Sequence, residues 1–183
     1  MTDTVVLYKS KYGSTMTYAG WIAEALKADI YKASIISVRK LKAYSTIIFG
    51  GGLYKNQLNG IKAIVRNFPK IEGKKIIIFS CGLTDPGIEV NRQRILEGLK
   101  EQVPEEILQK VKLFHLHGAI KYSKLSPFHR FVMKMLENML KAKREEDLSI
   151  EEKNMVETLG KDHYFVDYDT IWPIVEYARG NEN

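Results

Sequence analysis

Cysteine is nearly absent from this chain of 183 residues, and Cys81 standing alone cannot form an internal disulfide. With no second thiol and no tight cluster among the four histidines, no metal site is recognisable. Long apolar runs are missing too: no stretch approaches the roughly 18 residues that a membrane-spanning helix needs. The N-terminus lacks the basic segment and cleavable apolar run of a signal peptide, so a cytoplasmic protein is expected. Internal repeats, low-complexity tracts, a nucleophile elbow and a paired-carboxylate motif are likewise not found. Acidic residues are in deficit, 22 against 28 Lys and Arg, which leaves a formal charge of +6. At 45% hydrophobic content the length suits one compact core, so residues 1–183 are expected to form a single domain.

What is present alternates. Short apolar runs occur at Val5–Tyr8, Ile47–Phe49, Ile76–Phe79 and Val111–Phe114, mostly without period-two alternation, as suits central strands covered on both faces. Helical spacing follows them: Tyr18, Trp21, Ile22, Ala25 and Leu26 after the first, Ile61, Ile64, Val65 and Phe68 after the second, and Ile95, Leu96, Leu99 and Val103 after the third. A weakly signalled strand near Ile30 to Ile36 makes five, and a closing helix is expected from about Asp169 to Arg179. The pattern predicts an α/β fold with a doubly wound, five-stranded parallel sheet. Such sheets bind ligands beyond the carboxyl ends of their strands.

The first loop in that position reads Ser10-Lys11-Tyr12-Gly13-Ser14-Thr15. A helix N-terminus presents backbone N–H groups and the positive end of its dipole, Gly13 permits a tight turn, and Ser10, Ser14 and Thr15 add hydroxyls. These groups suit a phosphate. The dinucleotide fingerprint Gly-x-Gly-x-x-Gly and the nucleotide loop ending in Gly-Lys-Ser/Thr are both missing, so one phosphate rather than a pyrophosphate is expected. The blander reading is a simple helix cap at Ser14 or Thr15 with Gly13 turning the chain.

These residues resemble the phosphate loop of the flavodoxin superfamily, Ser/Thr-x-Thr-Gly-x-Ser/Thr, read here as Ser10, Tyr12, Gly13 and Thr15, with Tyr12 departing from the pattern. The resemblance continues in Gly50-Gly51-Gly52-Leu53-Tyr54-Lys55 after a strand ending at Phe49, and in Ser80-Cys81-Gly82-Leu83-Thr84 after one ending at Phe79. It implies non-covalent FMN, with the phosphate on residues 10–15 and the flavin ring flanked by Gly51, Gly52, Leu53 and Tyr54 on one side and Cys81, Gly82, Leu83 and Thr84 on the other. Tyr54 would stack on one face of the ring. No aromatic residue lies in the second loop, so Leu83 or a part of the later insertion would cover the other face. Gly13-Ser14-Thr15, the helix carrying Trp21, the run His117–Tyr122 and the segment Phe128–Met135 further resemble the group that includes menaquinone-dependent protoporphyrinogen oxidase. That implies an oxidoreductase with a redox partner or a quinone-like small molecule. A soluble electron carrier and a non-enzymatic module for a phosphorylated ligand stay open as alternatives. A signalling receiver does not, because Lys9-Ser10 and Gly50 stand where its carboxylates would be.

The excess charge is local. Residues 121–144 hold seven cations and one acid, Glu137, and the rest of the chain is formally neutral. This stretch belongs to a basic helical insertion expected at about 121–162, before the last helix. Phe128, Phe131, Val132, Met135, Leu136, Met139 and Leu140 recur at helical spacing within about 125–143, which predicts an amphipathic helix. It is expected to bury its stripe in the domain, to work at the mouth of the flavin site on substrate, or to meet an anionic membrane surface, which would make the protein peripheral at the membrane; no nucleic-acid motif accompanies the charge. Ser149-Ile150-Glu151-Glu152 reads as a capping box for a short helix ending at Gly160, and Glu145-Glu146-Asp147 as a polar linker. His115, His117 and His129 read as hydrogen-bonded or surface histidines, with His117 closest to the expected ligand edge.

Overall fold

The structure, a computed structural model, describes residues 2–54, 57–120, 123, 125, 127–148, 156 and 160–181. The chain divides into two compact units, one of residues 1–118 with 166–183 and one of residues 119–165.

The first unit is built on strands β1 (Thr4–Lys9), β2 (Asp29–Lys32), β3 (Thr46–Tyr54), β5 (Lys75–Gly82) and β6 (Lys112–His117), in the order β2-β1-β3-β5-β6 and all parallel. A short β4 (Gln57–Leu58) folds back antiparallel on the end of β3. Helices α1 (Ser14–Leu26), α2 (Val38–Leu41), α3 (Ile61–Ile71), α4 (Glu89–Lys100), α5 (Glu105–Leu108) and α7 (Trp172–Arg179) complete the unit. Side chains alternate across the sheet. Val5, Leu7, Ile47, Phe49, Ile76 and Ile78 join Ile61, Ile64 and Phe68 of α3 and Ile95 and Leu99 of α4 in one core layer. Val6, Ile48, Ile77 and Phe79 join Tyr18 and Ile22 of α1 and Ile174 and Val175 of α7 in the other. Burial on both faces is why β1, β3 and β5 read as unbroken apolar runs.

Four boundaries differ from the sequence expectation. β3 does not end at Phe49 but runs through Gly50, Gly51 and Gly52 to Tyr54, and β5 runs past Phe79 to Gly82. The glycines are in the ladder, with Gly50 opposite Phe79 and Gly52 opposite Cys81. A Cβ on Gly50 would lie 2.0 Å from the Phe79 ring, so the missing side chain admits a neighbour rather than making a turn. β2 is shorter than expected because it is an edge strand paired with β1 through four residues. The closing helix starts later, with a 3-10 turn at Tyr168–Ile171 before Trp172.

In the second unit, β7 (Ala119–Ile120) pairs antiparallel with β8 (His163–Tyr164), and α6 spans Pro127–Lys141. Pro127 opens α6, where its lack of an N–H costs nothing. Arg130 donates to the Ser123 carbonyl at 3.1 Å, and the Ser123 N–H donates to the Asp162 carboxylate at 3.3 Å. Glu145–Asp147 forms a 3-10 turn in which Arg144 pairs with Asp147 at 2.9 Å. The capping box at 149–152 lies outside the described residues. Among the described residues no helix is long and apolar enough to cross a membrane.

Candidate functional site

The strand order reverses direction between β1 and β3, the position at which sheets of this kind bind ligands beyond the carboxyl ends of their strands. Register brings the expected residues to this edge: Lys9, the last residue of β1, is opposite Gly51, and Gly52 is opposite Cys81.

The loop from β1 to α1 is shaped by Gly13. Its φ of 106° lies where L side chains strain, and a Cβ there would have nothing within 4 Å. The Gly13 N–H donates to Ser10 Oγ at 3.1 Å, and the Gly13 carbonyl accepts the Thr17 N–H at 2.9 Å, starting α1. The N-cap position is held by Gly13, and Ser14 and Thr15 lie inside the first turn of α1 rather than at its cap. Ser14 is half-buried in the first turn. Thr15 is buried and its hydroxyl reaches the Cys81 thiol, which commits it to the core side of the loop. Lys11 is exposed and holds its Nζ 5.4 Å from the Tyr12 ring centre.

Tyr12 meets Tyr54 edge-on, with ring centres 6.2 Å apart and planes at 65°. The Tyr54 ring turns back over its own strand, so that a Cβ on Gly52 would lie 3.0 Å from it. Burial pushes the Tyr54 phenol up to about 12, with Tyr12 and Cys81 adding to the shift. The β3–β4 turn is held by the Asn59 N–H on the Gly52 carbonyl at 2.9 Å and by the Leu58 N–H on the Gln102 side chain at 2.6 Å. Gly51, Gly52 and Leu53 therefore reach the edge as strand, and Lys55 lies outside the described residues.

At the end of β5, Cys81 is buried and its thiol is pushed up to about 12, so it is protonated near neutrality. Gly82 ends the strand, Leu83 is exposed and Thr84 is half-buried. Two contacts without a local sequence signal tie this loop to β6. The Gly118 N–H donates to the Gly82 carbonyl at 2.6 Å, and His117 Nε2 donates to the Leu83 carbonyl at 3.0 Å. Asn91 Nδ2 donates to the Asp85 carbonyl at 3.0 Å, and Arg92 to that of Pro86 at 2.7 Å. His117 is thus a positioning residue for the loop. His115 faces elsewhere, sharing a 2.8 Å hydrogen bond through Nδ1 with buried Ser80.

Residues 5–147 match the family model described as Flavodoxin domain. The chain belongs to that family. Curated proteins gave no match. Solved structures similar to parts of the chain include the Trp repressor binding protein from Bacillus subtilis, at 15% identity over 63% of this chain and 81% of that one, with a TM-score of 0.45. Oxidised flavodoxin 2 from Bacillus cereus is similar at 21% identity over 63% and 86%, with a TM-score of 0.40. A flavoprotein in complex with FMN from Lactobacillus acidophilus NCFM is similar at 13% identity over 64% and 93%, with a TM-score of 0.42.

Proposed function

We propose that this flavodoxin-family chain binds FMN non-covalently at the carboxyl edge of its sheet and serves as an oxidoreductase. The observation that carries the reading is Gly13. With φ of 106° at the switch point and open space beyond it, Gly13 is itself the N-cap of α1. A phosphate there would meet the backbone N–H groups of the first turn and the hydroxyls of Ser10 and Ser14, with the Lys11 charge in the same loop. Tyr54 supplies an aromatic face and exposed Leu83 an apolar one, while His117 and Gly118 hold the Gly82 and Leu83 carbonyls in place. The neutral Cys81 thiol adds packing rather than reactivity. Bound FMN would supply the electron and hydride transfer that no side chain provides.

A quinone-like small molecule or a protein redox partner would complete the reaction. The narrower kinship with menaquinone-dependent protoporphyrinogen oxidase rests on the sequence resemblance at Gly13–Thr15, Trp21, His117–Tyr122 and Phe128–Met135. The absorbance spectrum of purified protein, with extraction and identification of the bound flavin, tests the cofactor; no flavin after reconstitution with excess FMN overturns the reading. Gly13→Val should weaken FMN binding in a folded protein, and unchanged affinity moves the site elsewhere. Anaerobic stopped-flow mixing with protoporphyrinogen, NAD(P)H and menadione assigns the activity. Turnover of none, with rapid electron exchange with a ferredoxin, makes the protein a carrier.

A further inference from the structure

Helix α6 carries more apolar surface than its surroundings cover. Phe131, Met135 and Met139 follow at four-residue steps, on an arc of about 80°, and are 67%, 51% and 61% exposed. Leu140, about 180° round the helix from Phe131, is 5% exposed, and Met133 beside it is half-buried. The covered side of the helix is therefore opposite the Phe131 stripe. Arg130, Lys134 and Lys141 occupy a third strip between the Phe131 stripe and the Leu140 side, with the single acid Glu137 at its edge toward Leu140. Lys134 and Lys141 pair with Glu137 at 3.1 and 2.7 Å while staying 60% and 59% exposed. The Glu137 side chain between them is 13% exposed, and each ammonium group has three N–H donors, more than its one bond to Glu137 uses. Residues 127–144 hold five cations and one acid, a net charge of +4.

From this arrangement we propose that α6 lies in the surface of an anionic lipid bilayer, with Phe131, Met135 and Met139 among the acyl chains and Arg130, Lys134, Lys141 and Lys143 among the phosphates. Charge complementarity selects the occupant, since an apolar strip bordered by cations matches the boundary between acyl chains and anionic headgroups. Area argues against a second copy. The three side chains present on the order of 350 Å², taking about 200 Å² for each when fully exposed, whereas a stable dimer needs roughly 800 Å² per partner. A convex helix with Phe131, Met135 and Met139 exposed in one row suits a fluid surface, which needs no shaped groove. The proposal does not depend on bound flavin.

Co-sedimentation of the full chain with vesicles tests it. Binding is expected to phosphatidylcholine vesicles containing phosphatidylglycerol, to be lost with phosphatidylcholine alone, and to fall at least tenfold when salt is raised from about 0.1 to 0.5 M. A protein carrying K134Q, K141Q and K143Q should bind at least tenfold more weakly, at roughly fivefold per cation before screening. One carrying F131S, M135S and M139S should lose at least tenfold on the same anionic vesicles. A second readout is local: in Phe131→Trp, difference fluorescence should shift to the blue and be quenched by nitroxide-labelled lipid in anionic vesicles. Absence of binding to anionic vesicles, equal binding to neutral ones, or full binding by the triple serine protein overturns the proposal. So does a concentration-dependent dimer that the serine substitutions dissolve, which would give the stripe to a second copy.

Discussion

The Tyr18 hydroxyl donates to the His117 carbonyl oxygen at 2.7 Å and accepts the Asp167 N–H at 3.1 Å, joining positions 99 and 149 residues away from it. His117 and Asp167 stand close to where the chain leaves the first unit and returns to it, so one buried phenol satisfies backbone groups at both crossings. Tyr18→Phe leaves a carbonyl and an N–H without this partner and should destabilise the protein by about 1–3 kcal/mol. Urea unfolding measures it. An unchanged midpoint would mean that water or a neighbouring group replaces the hydroxyl.

Gly50→Ala should be destabilising by about 1–3 kcal/mol or more, because its Cβ would stand 2.0 Å from the Phe79 ring between two central strands. Phe79→Leu should recover part of the loss in the double mutant, since the two positions share one space. Gly13→Ala makes a useful contrast. With nothing within 4 Å of its Cβ, it should cost only the backbone strain of its φ of 106°, about 1–2 kcal/mol. Paired unfolding curves separate the two causes.

The same residues mark what the sequence could and could not carry. β1, β3, β5 and β6 are legible as apolar runs because three of them are buried on both faces, while β2, exposed on alternate residues at the edge, gives a weak signal. Gly51, Gly52 and Gly82 read as loop residues because glycine usually punctuates a chain. Their place inside strands follows from what approaches them, such as the Leu58 side chain at Gly51, and that is tertiary information. The loop at Ser10–Thr15 is legible for the opposite reason: the left-handed turn of Gly13 and the start of α1 are local. The Tyr18 clamp and the His117 bond to Leu83 have no local signature. Periodicity reveals the apolar arc of α6 but not which part of it is covered.

Acid should weaken the fold through His115. Burial, with the charge of Arg92 adding to it, holds the imidazole below its ordinary 6.5. A depressed native pKa means that the unfolded chain takes up the proton first. The stabilisation is therefore complete above about 6.5 and is lost as the pH falls through the native value, at no more than about 1.4 kcal/mol per pH unit. NMR titration of the ring should give a midpoint below that of a free histidine. His115→Gln should flatten the stability curve below about pH 6.5, and an unaltered slope would assign acid sensitivity to other groups.

Alkali should act first through Cys81. Burial raises its thiol from 9.0 to about 12, so above pH 9 the unfolded chain loses a proton that the native chain keeps. The sign follows directly: the contribution is fully present below 9.0 and disappears as the pH rises toward 12, with a slope of up to about 1.4 kcal/mol per pH unit. Tyr54, raised from 10.0 to about 12, adds a similar loss beginning one unit higher, and Tyr18 is raised by burial in the same direction. Between pH 9 and 10 the thiol is therefore the main contributor among these three groups. Urea midpoints at pH 8, 9 and 10 should fall for the natural protein and fall less steeply for Cys81→Ala, which keeps only the loss due to the raised tyrosines, even if the loss of packing makes that variant less stable at every pH. Native Cys81 should also resist Ellman's reagent at pH 8 until the protein is unfolded, since it is both buried and protonated. Parallel falls in the two proteins between pH 9 and 10 would show that the native thiol ionises as readily as the unfolded one.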